Sequence, residues 1–190
     1  MNLKPSKNIT WLAIALIIFA IIARIIPHEY NFAPFGAIAL FSAAYFANKS
    51  SGIIITVLAS WISGIILNNF VYEGLYDHFV LIDENIVWQS ISYILIVLLG
   101  KQLFNKEVKA GSVILGALAS SIIFFIITNF GFWFSALVHP RTMDGLILSF
   151  RDALPFYRAT LIGDLFFATA LFGSYFFLVN NIGKRVPITS

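Results

Sequence analysis

Cysteine is absent from this 190-residue chain. That excludes a disulfide framework and a thiolate metal site, and cysteine usage gives no reading of redox compartment. Charge is scarce too: Asp, Glu, Lys and Arg make up 11% of the residues against 59% hydrophobic ones. A soluble domain of this size needs far more polar surface to stay monomeric. The three histidines show neither H-x-x-x-H nor H-x-x-E-H spacing, so no zinc signature is present. No P-loop occurs, so any ATP-driven energy has to come from a partner. The sequence pI is near 9.2, yet the basic residues sit at the boundaries of apolar runs rather than in a patch, which argues against nucleic acid as a partner.

What the chain does contain is long apolar runs. Segments of about 17–25 apolar residues match the thickness of a bilayer core, and membrane lipid is then the expected surrounding. Six candidate helices follow: Ile9–Ile26, Phe35–Ala47, Gly52–Phe70, Ile86–Phe104, Gly111–Thr128 and Tyr157–Val179. The expected class is an all-α membrane protein with six transmembrane helices in a single domain spanning residues 1–190. The second helix is short, so it is either tilted or begins below the surface. The first apolar run ends in IIARIIP rather than in an A-x-A-like site, so it reads as a helix rather than a cleaved signal.

Charge sets the orientation. Counting ends and connections alternately, one side carries Lys4, Lys7, Lys49, Lys101, Lys106, Lys109, Lys184 and Arg185, and the other only Arg24, Arg141, Arg151 and Arg158. By the positive-inside rule both termini are cytoplasmic. The acids reverse this pattern, with Glu107 alone inside. The segment Asn68–Asn85, which holds Glu73, Asp77, Asp83 and Glu84 and no lysine or arginine, is therefore an outer loop. The inner connections are short and lysine-rich, as anchors to anionic headgroups are.

All three histidines (His28, His78 and His139) fall in the outer half, with Glu29, Tyr30, Asn31, Tyr72, Tyr76, Trp133, Asp144, Asp152 and Tyr157. Exposed loop acids mostly solvate, and Trp88 and Tyr93 read as interfacial anchors. Polar groups within the apolar runs are different. Asp164 lies seven residues after Tyr157, roughly 10 Å down a helix, where a carboxylate must be paired or line a wet cavity. Arg24 is its candidate partner, in a structural or a functional ion pair. Asn68, Asn69 and Asn129 stand at span ends, as C-terminal caps or as solute-recognising amides. After an expected helix break at Asn129–Gly131, Met143, Leu146, Ile147, Phe150 and Leu154 form an apolar stripe. That predicts a separate short amphipathic helix over 142–154 with Thr142 as N-cap, serving as a lid or resting on the interface.

Three motifs carry a family resemblance. They are R-x-x-P-H-x-x-N-F-x-P (Arg24, Pro27, His28, Asn31, Phe32, Pro34), N-F-G-x-W (Asn129, Phe130, Gly131, Trp133) and P-F-x-R-x-T-x-x-G-D (Pro155, Phe156, Arg158, Thr160, Gly163, Asp164). In order and spacing the whole chain resembles a family of small bacterial membrane proteins described as transport proteins. That family is similar to the substrate-binding S components of energy-coupling-factor transporters and to the solitary cobalamin transporter BtuM. The resemblance implies six helices, cytoplasmic termini and an outward-facing pocket closed by the first, third and fifth loops, in a bacterial cytoplasmic membrane. BtuM-like proteins ligate cobalt with a cysteine that this chain lacks; His78 lies in the corresponding loop. The Ala-x-x-x-Ala spacing that S components use on their first helix to dock an energising module occurs here in the second, at Ala39, Ala43 and Ala47, where it equally serves close helix packing.

The expected function is capture of a small solute, vitamin- or corrinoid-like, at the outer face and its transfer inward, with an energising module or self-association as possible partners. The rivals are a structural or assembly subunit of a larger membrane complex and an intramembrane metal-dependent enzyme with Asp164 and a histidine as acid and base. No cofactor is implied. The expected solute-binding residues are His28, Tyr30, Asn31, Asn68, Asn69, Tyr72, His78, Asn129 and Trp133, with Arg24, Arg158 and Asp164 beneath them as an ionic floor.

Overall fold

The structure, a computed structural model, describes residues 9–26, 31–46, 48–72, 76–83, 85–135 and 138–182. Six α-helices make up the described chain: α1 Ile9–Ile25, α2 Phe35–Tyr45, α3 Lys49–Ile66, α4 Ile86–Leu103, α5 Ala110–Phe134 and α6 Met143–Ile182. Strands are absent among the described residues. Four stretches are long and apolar enough to cross a membrane (Lys49–Val71, Ile86–Leu103, Ala110–Phe134 and Met143–Val179), and α1 and α2 are shorter apolar helices. The outward faces are apolar as well. Ile14, Ile18 and Ile22 on α1 and Ile114, Leu118 and Ile122 on α5 are exposed at helical spacing. Contiguous apolar surface on this scale is rare on soluble monomers and fits a lipid surrounding, so this is a helical membrane protein.

The organising element is α2. Its sequence, FGAIALFSAAY, is apolar or small all round, the pattern of a helix with no face for water. Nearly all of it is buried, against α3, α4, α5 and α6. Small residues make that enclosure possible: Gly100 of α4 comes so close that a Cβ there would meet the Ala43 Cβ at 2.7 Å. Ala39 and Ala43 are therefore interior packing residues, with no face free for another protein; Ala47 lies outside the described residues. With 11 residues, α2 is about 16 Å long, roughly half a hydrocarbon core of ~30 Å.

Two expected boundaries are corrected. Helix α5 does not end at Asn129–Gly131 but runs on to Phe134. Gly131 is there for space, since a Cβ would collide with the Trp88 ring, and Trp88 packs edge-on against Phe130 and Phe134. The amphipathic segment 142–154 and the last span are one helix of 40 residues passing through Pro155, about 60 Å at roughly 1.5 Å per residue. Proline removes one main-chain bond and usually kinks a helix. Here the turns on both sides are held to one ring of α5: Phe150 and Tyr157 both pack on Phe125, with centroids 5.7 and 4.9 Å away. Thr142 does cap the helix, its Oγ1 accepting from the Gly145 N–H at 3.1 Å.

Candidate functional site

A cavity of about 500 Å³ opens at the end of the bundle where α2 begins, lined by residues of α1, α2, α4, α5 and α6 and of the connections between helices, Val71 and Tyr72 among them. Its position follows from the length of α2. A helix too short to fill its column leaves the upper part of that column empty, and Ala33, Phe35 and Gly36 form the floor. Asn31 shapes the connection above them. Its φ of 66° is left-handed, a conformation that asparagine tolerates better than most residues, and its carbonyl accepts from the Ala33 N–H at 3.0 Å.

Helix α3 reaches the cavity through a π-helical turn, Leu67–Val71, closed by the Tyr72 N–H donating to the Leu67 carbonyl at 2.8 Å. Such turns are rare and are frequent at functional sites. This one places Val71 and Tyr72 on the cavity wall.

The polar groups of the cavity come from distant parts of the chain. Arg24, at the end of α1, donates from Nη1 to Ser63 Oγ at 3.2 Å and lies over the Phe35 ring, 5.6 Å from its centroid. Ser63 in turn donates to the Ser60 carbonyl, and Ser60 Oγ donates to Gln89 Oε1 at 3.3 Å. Gln89 thereby has its oxygen engaged, and it lines the main cavity and two adjoining spaces. Asp164 of α6 is 3% exposed, and its Oδ2 has no hydrogen-bond partner. The carboxylate lies against Gly36, whose missing Cβ leaves the room it occupies beside Ser120 Oγ of α5.

A second space of about 210 Å³ adjoins the first through Asn31, Gln89, Phe124 and Thr160, and is lined further by Asn85, Thr128, Asn129 and Tyr157.

The residues expected in the site divide three ways. Arg24, Asn31, Tyr72 and Asp164 share the main cavity, Asn129 lines the adjoining one, and Asn68 lines a smaller space of about 30 Å³ with Arg24 and Asp83. Others serve the scaffold. Asn69 donates to the Ile65 and Val80 carbonyls and accepts from the Val80 N–H at 2.8 Å, tying the following loop to the π turn. Trp133 Nε1 donates to the Pro140 and Thr142 carbonyls, clasping the α5–α6 connection. Neither Arg158 nor His78 lines the cavities, and both are exposed. His28 and Tyr30 lie outside the described residues.

The expected Arg24–Asp164 ion pair does not form: Arg24 turns to Ser63, and Asp164 is in no ion pair among the described residues. His78 instead pairs with Asp77, Nδ1 to Oδ1 at 2.6 Å, and this contact holds the Asp77 carboxyl below its usual range. His139 is set 3.2 Å from Asp152. No cluster of three metal-binding side chains occurs among the described residues.

Sequence reading missed Gln89, Tyr93, Phe124 and Thr160, which also line the cavity. A signal existed for Gln89, a lone amide inside the apolar run IVWQSISYILIVLLG, since polar groups in such runs are costly and mark pathways. Tyr93 and Phe124 gave none, because aromatic residues are ordinary in apolar helices.

Apolar outer faces around a cavity with apolar walls and a few polar groups define a helical membrane protein with an internal cavity. A profile for a protein family of unknown function (DUF6580) matches residues 4–186, and the chain belongs to that family. No curated protein and no solved structure matches it.

Proposed function

We propose that this chain is an integral membrane transport protein that binds a small solute in the cavity and passes it inward. The observation that carries the reading is the cavity itself, about 500 Å³. That volume lies within the ~300–1,000 Å³ typical of small-molecule pockets, which combine apolar walls with a few converging polar groups. In this reading the chain crosses the membrane six times, α2 filling only part of the depth of its crossing, and both termini are cytoplasmic by the lysine distribution. The cavity then faces outward, since it sits at the end where α1 and α5 finish and α2, α4 and α6 begin. The reading keeps the S-component-like architecture and the bacterial cytoplasmic membrane that the sequence motifs imply.

The solute is a small one, vitamin- or corrinoid-like. His78, the candidate cobalt ligand, does not line the cavity. An energising module, if one is used, docks elsewhere than on the small residues of α2, because Ala39 and Ala43 are enclosed.

Native mass spectrometry of the detergent-extracted protein tests the reading. A bound solute is expected on the wild type and is expected to be reduced on Asp164→Asn. A wild type that carries no solute and binds none from a metabolite extract would sink it. A tag placed between Glu73 and Asp83 should be labelled from outside intact cells; labelling only after permeabilisation would reverse the orientation.

A further inference from the structure

We propose that the cavity takes a small zwitterion with an apolar or aromatic body, its cationic nitrogen at Asp164 and its anionic group at Arg24. This rests on the solute-binding reading and names the solute's chemical class. Two opposite charges line one cavity without pairing with each other or with any other described charged group. An isolated buried charge is costly. A solute with one charge would neutralise one of these groups and leave the other, whereas a zwitterion answers both.

The two ends are chemically distinct. Asp164 Oδ2 and Ser120 Oγ are both buried without hydrogen-bond partners, and both stand at Gly36 in the first turn of α2. That turn has no side-chain N-cap, so its free N–H groups carry a partial positive charge that attracts the carboxylate without filling its acceptor positions. An ammonium, with its several N–H donors and a full charge, is the complement of such a group.

At the other end Arg24 spends one N–H on Ser63. Asp83 lines the space of about 30 Å³ behind the guanidinium, room for a single water, and its Oδ1 already accepts from the Asn85 N–H at 2.7 Å. The cavity side of the guanidinium is left to bind a carboxylate or similar anion. Between the two ends Phe35, Tyr93 and Phe124 supply aromatic wall, suited to an apolar body and to a cation over a ring face.

The test is calorimetric titration of the full chain in lipid nanodiscs with four probes sharing one phenyl body. Phenylalanine and alanyl-phenylalanine carry both charges at two separations, phenethylamine carries the cation alone, and 3-phenylpropionate the anion alone. At least one zwitterion should bind about tenfold or more tightly than either singly charged probe. Asp164→Asn should erase its advantage over 3-phenylpropionate. Arg24→Gln should erase its advantage over phenethylamine, while Arg24→Lys keeps it. Equal binding of the zwitterions and a singly charged probe overturns the proposal, as does binding of none of the four. A co-purified solute lacking either charge overturns it while leaving the solute-binding reading intact.

Discussion

The two ends of α2 are built on opposite principles. At its start, Phe35 and Gly36 look onto a cavity lined by Arg24, Gln89 and Asp164. At its finish, Phe41 and Tyr45 are locked into an aromatic cluster with Phe172 and Tyr175, and Phe104 packs on Phe172; the Tyr45 and Tyr175 rings lie only 4.1 Å apart. The same helix thus ends in solid packing on one side and in a void on the other. Dense packing holds a fold together, whereas a void lined by unpaired charges gives up stability to leave room for something else. The contrast locates stability and function at opposite ends of one element.

The largest expected effect comes from opening the solid end. Phe172, 2% exposed, touches three other rings, and Phe172→Ala should cost about 3–5 kcal/mol through lost contacts and the cavity left behind. Thermal unfolding in detergent reads this. Solute binding by the fraction that remains folded should be unchanged, and lost affinity there would erase the distinction between the ends.

Filling the hollow end comes next. Gly36→Ala drives a methyl into the Asp164 carboxylate and Ser120 Oγ, an overpacking cost of about 1–3 kcal/mol, and it should abolish binding along with part of the stability. Wild-type binding by this variant would mean that the Gly36 junction is not part of the site.

A smaller effect of opposite sign is expected from Tyr45→Phe. The Tyr45 hydroxyl is buried without a hydrogen-bond partner, so removing it should raise stability by about 1 kcal/mol. A drop in melting temperature would reveal a partner for that hydroxyl and a less apolar solid end.

The smallest effect lies outside both ends. The hydrogen bond to His78 lowers the Asp77 pKa, so whatever stability it adds is present above the ordinary carboxylate pKa and is lost as pH falls through the lowered value. Asp77 is fully exposed, and an exposed pair of this kind contributes little. Asp77→Asn should leave melting temperature and binding unchanged across that pH range, and a clear shift would draw this loop into the site.

Much of the architecture was legible in the residues. The apolar runs located the helices of the described residues, the short second run marked α2 as either tilted or beginning below the surface, and Thr142 marked the start of α6. Asp164 and Arg24 stood out because charge inside an apolar run needs a reason. The misreadings share one cause, which is that a residue's local signal does not say what it meets. Asn129–Gly131 reads as a helix break, yet the glycine makes room for Trp88. Residues 142–154 read as a separate amphipathic helix, yet they continue into the last span, with Phe125 holding the turns on both sides of Pro155. Asn69 and Trp133 have the polarity of ligand-binding residues, but main-chain carbonyls already occupy their donors.

By itself the sequence determined the solvent of each segment: which runs are apolar enough for lipid, where water begins, and which charges lie too deep to be idle. These are properties of single residues and short windows, because transfer from water to an apolar phase depends mainly on what is transferred. Tertiary structure alone decided that a cavity opens at the start of α2, that Arg24 turns to Ser63 rather than to Asp164, and that Gln89, Tyr93 and Phe124 line the wall. Those outcomes depend on which side chains from distant segments arrive at one place and how closely they fit, and no single segment carries that information.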